Sequence, residues 1–132
     1  MFSRKKQPPI KSLIAHGTRI NGEVRFSEGL RIDGEVAGDV RASDEQPSIL
    51  VISESARVEG AVHAAHVIVN GTVLGPVHAA ELLELQPKAR ITGNVHYKSL
   101  EMHQGATISG QMSPSTVLVE EKPTLKLASN AS

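Results

Sequence analysis

Three histidines stand at equivalent places in this sequence and are its best candidates for chemistry. His63, His78 and His96 each directly follow a valine, and Arg25 and Arg41 hold the same place earlier in the chain. If these segments stack, the imidazoles form an outward column that could bind a metal ion or become positive as the pH falls. A flat column rarely directs three nitrogens tetrahedrally at one ion, so a polar surface column is the simpler interpretation.

The segments that position these histidines share a short phrase: an aliphatic residue, any residue, Gly, any residue, then an aliphatic residue or Met. Six non-overlapping copies of the phrase lie in the 132 residues, around Gly22, Gly34, Gly60, Gly71, Gly93 and Gly110. Self-similarity of this kind is typical of a solenoid. Glycine permits the backbone angles of tight corners, which residues with a Cβ resist. We therefore predict one β-strand coil, with a glycine at each corner.

Three columns of aliphatic residues repeat along the chain. The first column is Val24, Val40, Val62, Val77, Val95 and Met112; the second is Leu30/Ile32, Leu50/Ile52, Val67/Val69, Leu83/Leu85 and Leu100/Met102; the third is Ile20, Val36, Val58, Val73, Ile91 and Ile108. Their alternation predicts three short strands per turn, each paired in parallel with its equivalent one turn along. One longer spacing contains Asp44-Glu-Gln-Pro-Ser48, which predicts a loop.

The predicted fold is therefore all-β: a triangular parallel β-helix of about six turns with short disordered tails. With two Phe, one Tyr and no Trp, the composition fits a narrow aliphatic interior. Left-handed coils keep a strict six-residue repeat, whereas this chain keeps one only briefly, from Val24 to Val36. We therefore predict a right-handed coil over residues 13–113. Residues 1–12 form a basic N-terminal tail, and residues 114–132 form a C-terminal tail that could bind a partner.

The Ile-x-Gly-x-Val phrases on a turn of about 17 residues, in a short chain with polar tails, resemble the bactofilin family. The resemblance covers about residues 13–112, and the start Met1–Gln7 is similar to that of membrane-associated members. It implies a right-handed β-helical bacterial cytoskeletal protein that polymerises end to end without nucleotide. It also implies a scaffold for cell-wall enzymes or other partners. Whether the chain co-polymerises with a paralogue stays open.

Physical reasoning leads to self-assembly independently. A parallel coil ends in strands with unpaired backbone groups, and neither tail offers an amphipathic helix to cover them. Two apolar end layers that dock would bury their side chains, and a heterologous contact of this kind builds open filaments. The sequence leaves both head-to-head and head-to-tail order of the homopolymer open. The predicted interface residues are Leu13, Ile14, Ile20 and Val24 in the first turn and Leu100, Met102, Ile108 and Met112 in the last. The alternative is that the C-terminal tail folds over one end as a cap.

The N-terminal tail predicts weak contact with a membrane. Phe2 lies beside Arg4, Lys5 and Lys6, and each basic residue near an anionic leaflet contributes about 1 kcal/mol. A filament that displays many such tails would bind far better than one chain. No apolar run follows that could act as a signal peptide or span a bilayer. We expect a cytoplasmic protein, peripheral on the inner face of the cytoplasmic membrane.

Other functional classes find less support. The 14 basic and 14 acidic residues balance, and no aromatic platform is present, which argues against general nucleic-acid binding. We find no catalytic motif or phosphate-binding loop and expect neither enzyme activity nor a cofactor or resident metal. Two alternatives stay open: a binding module that does not polymerise, and a hexapeptide-type acyltransferase built on a similar coil.

Overall fold

The fold consists of short parallel strands joined by tight corners. A computed structural model describes residues 9–43 and 47–115. Within these residues the strands are β1 Ile10–Ile14, β2 Arg19–Asn21, β3 Val24–Phe26, β4 Gly29–Ile32, β5 Glu35–Ala37, β6 Val40–Ala42, β7 Ile49–Ile52, β8 Arg57–Glu59, β9 Val62–Val69, β10 Thr72–Leu74, β11 Val77–Leu85, β12 Arg90–Thr92, β13 Val95–Met102, β14 Thr107–Ser109 and β15 Met112–Pro114. The described part contains no helix.

The strands form three faces of a solenoid. Face 1 consists of β3, β6, the first parts of β9, β11 and β13, and β15. Face 2 consists of β1, β4, β7 and the second parts of β9, β11 and β13. Face 3 is the six-stranded sheet β2-β5-β8-β10-β12-β14. Every pairing is parallel, so the all-β coil of six turns is confirmed, while its handedness stays a prediction.

The register reproduces the three columns of the sequence. In face 1, Val24 pairs with Val40, and the column continues to Val95 and Met112. In face 3 the column runs from Ile20 through successive turns to Ile108. Strand β11 shifts register against both neighbours between Ala79 and Leu82, which is a local bulge.

Aliphatic side chains fill the interior from end to end. The largest fully buried ones include Ile32, Leu50, Leu83 and Leu85, each less than 2 % exposed. The aromatic residues Phe26 and Tyr97 are only partly buried against this core. Because each strand rises one sheet spacing above the last, an inward residue packs mainly on its equivalents one turn away.

The glycine phrases mark two different corners rather than one. Gly34 and Gly71 lie between faces 2 and 3, whereas the other four phrases lie between faces 3 and 1. At the second corner, Gly38 and Gly75 complete a column of six glycines. They belong to phrases that share an aliphatic residue with Gly34 and Gly71: Val36-Ala-Gly38-Asp-Val40 and Val73-Leu-Gly75-Pro-Val77. A Cβ on Gly38 would meet the carbonyl oxygen of Gly22, so this corner admits only glycine without a shift.

Candidate functional site: the solenoid ends and the histidine column

The N-terminal end of the described solenoid is a layer of inward residues with no strand beneath it. Ile14 is buried, and Ile20 and Val24 are partly buried against the core. Leu13 pairs with Arg31 on face 2 and is 59 % exposed. Alternation therefore places Leu13 on the lateral surface and not in the end layer with the other three predicted residues. Its role in assembly stays a prediction.

The C-terminal end has a matching layer. Leu100 and Ile108 are partly buried, whereas Met102 and Met112 are 46 % and 41 % exposed. All four occupy inward columns of the last turn, so their exposed parts face along the solenoid axis. The structure thus brings the four predicted C-terminal residues together in one layer.

Exposed apolar side chains concentrate in the first and last turns. Among the described residues, the exposed large apolar side chains are Ile10, Leu13, Leu74, Met102 and Met112. Only Leu74 of these lies in a middle turn, on β10. Complete burial of a side chain such as Met stabilises by about 1.5–3 kcal/mol, and docking also pairs the open strand edges. The exposed apolar surface of the described coil therefore lies mainly in its first and last turns.

The histidine column forms as the sequence indicates. His63 and His78 stack with ring centroids 5.4 Å apart, and His78 and His96 lie 5.1 Å apart. Arg41 pairs with His63 one turn below, and Arg25 pairs with Arg41. The three rings follow one another along the column rather than surrounding one point, so the geometry favours a polar surface column over a metal site.

A second group of potential metal ligands was not identified from the sequence. Ligand atoms of Glu84, Glu101 and His103 lie within 4.8 Å of one another at the rim of face 2. Glu84 and Glu101 are register partners, and His103 Nε2 lies 3.7 Å from a Glu84 oxygen. The 17-residue spacing of the two glutamates was the available signal. Two carboxylates and an imidazole are chemically able to accept a divalent cation.

Electrostatics around the rim also act on His66. Burial lowers the pKa of His66 below its ordinary value, while the carboxylates of Glu84 and Glu101 oppose this shift. His66 therefore favours its neutral form more than a solvated imidazole does.

Asp33, in the second turn, also has a shifted pKa. Hydrogen bonds from Ser53 and Arg31 lower the pKa of Asp33.

Ion pairs cover much of the lateral surface. The Arg31 side chain donates a hydrogen bond to Asp33 at 2.8 Å, and Arg57 donates one to Glu59 at 2.8 Å. In each pair the acceptor lies two residues after the arginine. Exposed pairs of this kind stabilise little. They make much of the lateral surface polar, although Leu13 and Leu74 are also exposed there.

The predicted membrane-binding residues Phe2, Arg4, Lys5 and Lys6 lie outside the described residues. Most of the predicted C-terminal tail lies outside as well; Pro114 and Ser115 are the described part of it. Within residues 9–43 and 47–115, no helix is long and apolar enough to cross a bilayer.

The chain is similar in sequence to two bactofilins of known name. Bactofilin BacO of Myxococcus xanthus (strain DK1622) is 25 % identical over 111 residues, which cover 84 % of this chain and 85 % of BacO. Bactofilin BacP of the same organism is 28 % identical over 93 residues, which cover 70 % of this chain and 37 % of BacP. No solved structure gave a significant match. The family model for bactofilins, described as polymer-forming cytoskeletal, matches residues 12–113. The chain therefore belongs to the bactofilin family of polymer-forming cytoskeletal proteins.

Proposed function

We propose that this protein assembles end to end into nucleotide-independent filaments on the inner face of the cytoplasmic membrane. In this proposal the filament is a scaffold that localises cell-shape or cell-wall proteins and has no enzymatic role. Family membership supports polymer formation in general. The end-to-end geometry, the membrane and the recruited proteins are the parts that we add.

The observation that carries the proposal is the contrast between ends and sides. Met102 and Met112 expose apolar surface along the axis, and the first and last strands leave backbone edges open among the described residues. The lateral faces carry ion pairs and polar columns, with Leu13 and Leu74 as their exposed large apolar side chains among the described residues. Docking between ends buries apolar surface and continues the parallel sheets, so it should prevail over lateral association.

The test is a charge substitution in the end layer. Met112→Lys combined with Ile108→Lys should yield folded monomers, because docking would bury two unpaired ammonium groups. The matched control is Leu74→Lys, which makes the same kind of change at an apolar residue 36 % exposed in a middle turn. Sedimentation should show pelleted wild type and control but soluble double variant. Filaments unchanged in the double variant would contradict the proposal.

The predicted tail residues Phe2, Arg4, Lys5 and Lys6 support the membrane part of the proposal by their chemistry. Phe supplies an apolar side chain, and three cations supply attraction to anionic lipids. Assembly and binding then reinforce each other, since a filament presents many tails at high effective concentration.

A further inference from the structure

The C-terminal edge of face 2 is unpaired among the described residues, and the chain that leaves β15 on face 1 would reach face 2 next. Residues 99–102 are the last described strand segment of this face, and Met102 is 46 % exposed there. On face 1, β15 pairs with the first part of β13 and ends at Pro114. Ser115 continues this contact, because its N–H donates to the Tyr97 carbonyl oxygen at 2.6 Å and its Oγ donates to the same oxygen at 3.0 Å.

The following residues fit the open edge in register. Val95 pairs with Met112 and Tyr97 pairs with Pro114, an offset of 17 residues. Strands β9, β11 and β13 each run from face 1 directly into face 2. If the same offset continued, Val117 would lie over Leu100 and Val119 over Met102.

The residue types agree with that register. Thr116-Val-Leu-Val119 contains three residues of high β propensity, and in a strand of this register the two valines would point inward and Leu118 outward. A one-residue shift, like the bulge of β11, would place the carboxylate of Glu120 over Met102, where burial is costly. Pro123 follows shortly and cannot donate to a ladder, so it limits the length of the strand.

We propose that Thr116–Val119 docks on residues 99–102 as a seventh strand of face 2. Val117 and Val119 then cover Leu100 and Met102, whereas Ile108 and Met112 keep their exposed surface. The segment pairs with the open backbone groups of one of the three strand edges at this end of the solenoid. Longitudinal docking at this end would use faces 1 and 3 together with the new strand. The proposal stands whether or not the protein forms filaments.

Disulfide trapping in the full-length protein tests the register. The chain has no cysteine, so a pair introduced at Glu101 and Leu118 reports on that contact alone. Both positions point outward on neighbouring strands, at a Cα separation of about 5 Å that suits a disulfide. The matched control pairs Glu101→Cys with Val119→Cys, which the register directs to opposite sides of the sheet.

Under mild oxidation, the Glu101/Leu118 pair should form an intramolecular disulfide about tenfold faster than the control pair. Equal rates, or no disulfide in either protein, would overturn the proposal. Disulfide-linked dimers of the matched pair would also overturn it, because a second copy would then occupy the edge. Since both proteins carry Glu101→Cys, an effect of that substitution on folding cancels.

Hydrogen exchange of cysteine-free full-length protein provides a second measurement. The amides of residues 117–119 should be protected in wild type and in Leu118→Lys, whose side chain stays outside. Protection should be lost in Val117→Lys combined with Val119→Lys. Rapid exchange of this segment in wild type, with residues 99–102 protected only in filaments, would contradict the docked strand and assign the edge to a second copy.

Discussion

At the residue scale, His66 links stability to pH. Its imidazole is partly buried on face 2, where Ile49 and Leu82 are its register partners. Burial lowers the pKa of His66 in the folded protein, with Glu84 and Glu101 acting in the opposite direction. The unfolded chain therefore binds a proton more readily than the folded chain between the lowered pKa and about 6.5.

The sign of the pH dependence follows. As the pH falls from about 6.5 toward the lowered pKa, the unfolded state gains the proton first, so the free energy of unfolding decreases. His66→Gln should flatten this part of the stability curve. Glu84→Gln should steepen it, because one carboxylate that favours the charged imidazole is lost. Melting temperatures between pH 5 and 7 check both, and parallel curves for all three proteins would rule out this role of His66.

Side chains that repeat with the turns could be predicted from the sequence, whereas those at the ends and corners could not. The column of His63, His78 and His96 was predictable because it repeats with the turns, and its stacking confirms it. Leu13 and Ile14 are adjacent and both apolar, so sequence alone could not decide which one points inward. The cluster at His103 depends on side-chain positions across a corner, which the period does not encode.

At the element scale, the glycine corner between faces 3 and 1 is a contact of backbone on backbone. A Cβ on Gly60 would meet the carbonyl oxygen of Gly38, and one on Gly93 would meet that of Gly75. The strands can therefore stack at sheet spacing only when this corner carries no side chain. The overlapping phrases around Gly38 and Gly75 obscured this column in the sequence.

Gly60→Ala should thus destabilise the fold by about 3 kcal/mol or more, since rigid backbone must move. Gly22→Ala is the control: it lies in the same column but has nothing within 4 Å of the added Cβ. Because Gly22 has a φ of +130°, its substitution should still cost about 1 kcal/mol. Urea unfolding measures both values. Equal destabilisation would contradict the stacking explanation, because Gly60 does not have a positive φ.

Core strands should respond to truncation in proportion to their burial. Leu83 on β11 is 0 % exposed and lies between Val67 and Leu100 of the neighbouring turns. Leu83→Ala should reduce the free energy of unfolding by about 2–5 kcal/mol. Leu74→Ala, at a residue 36 % exposed, should change it by less than about 1 kcal/mol. A tolerated Leu83→Ala would mean that the turns do not share one packed interior.

At the scale of the whole molecule, the fold was largely predictable because every turn of a solenoid has the same three-strand structure. Period-two alternation assigned the inward residues, and the turn length assigned their partners. The bulge of β11 was not predictable, since it inserts a residue without interrupting the aliphatic columns. The repeat does not predict how the ends of the solenoid behave, because that depends on whether a second molecule or the C-terminal tail covers them.

Removal of residues 2–7 tests the membrane part of the account. The shortened protein should lose co-flotation with vesicles containing phosphatidylglycerol in a density gradient, because about 1 kcal/mol per basic residue and the Phe2 contact are lost together. Filament length should stay that of the full chain, since the ends are untouched. Neutral phosphatidylcholine vesicles are the control. Equal binding of full-length and shortened protein to the anionic vesicles would refute the role of the tail.

The central claim is that the described coil continues from one molecule into the next. Six turns at a sheet spacing of about 4.8 Å make each subunit about 29 Å long. The decisive measurement is electron microscopy of the purified protein without nucleotide or metal, with mass per unit length determined on the same grids. The account predicts thin filaments with one 14.1 kDa subunit per about 29 Å. Uniform monomers, or filaments with a much higher mass per length in a single strand, would contradict end-to-end assembly.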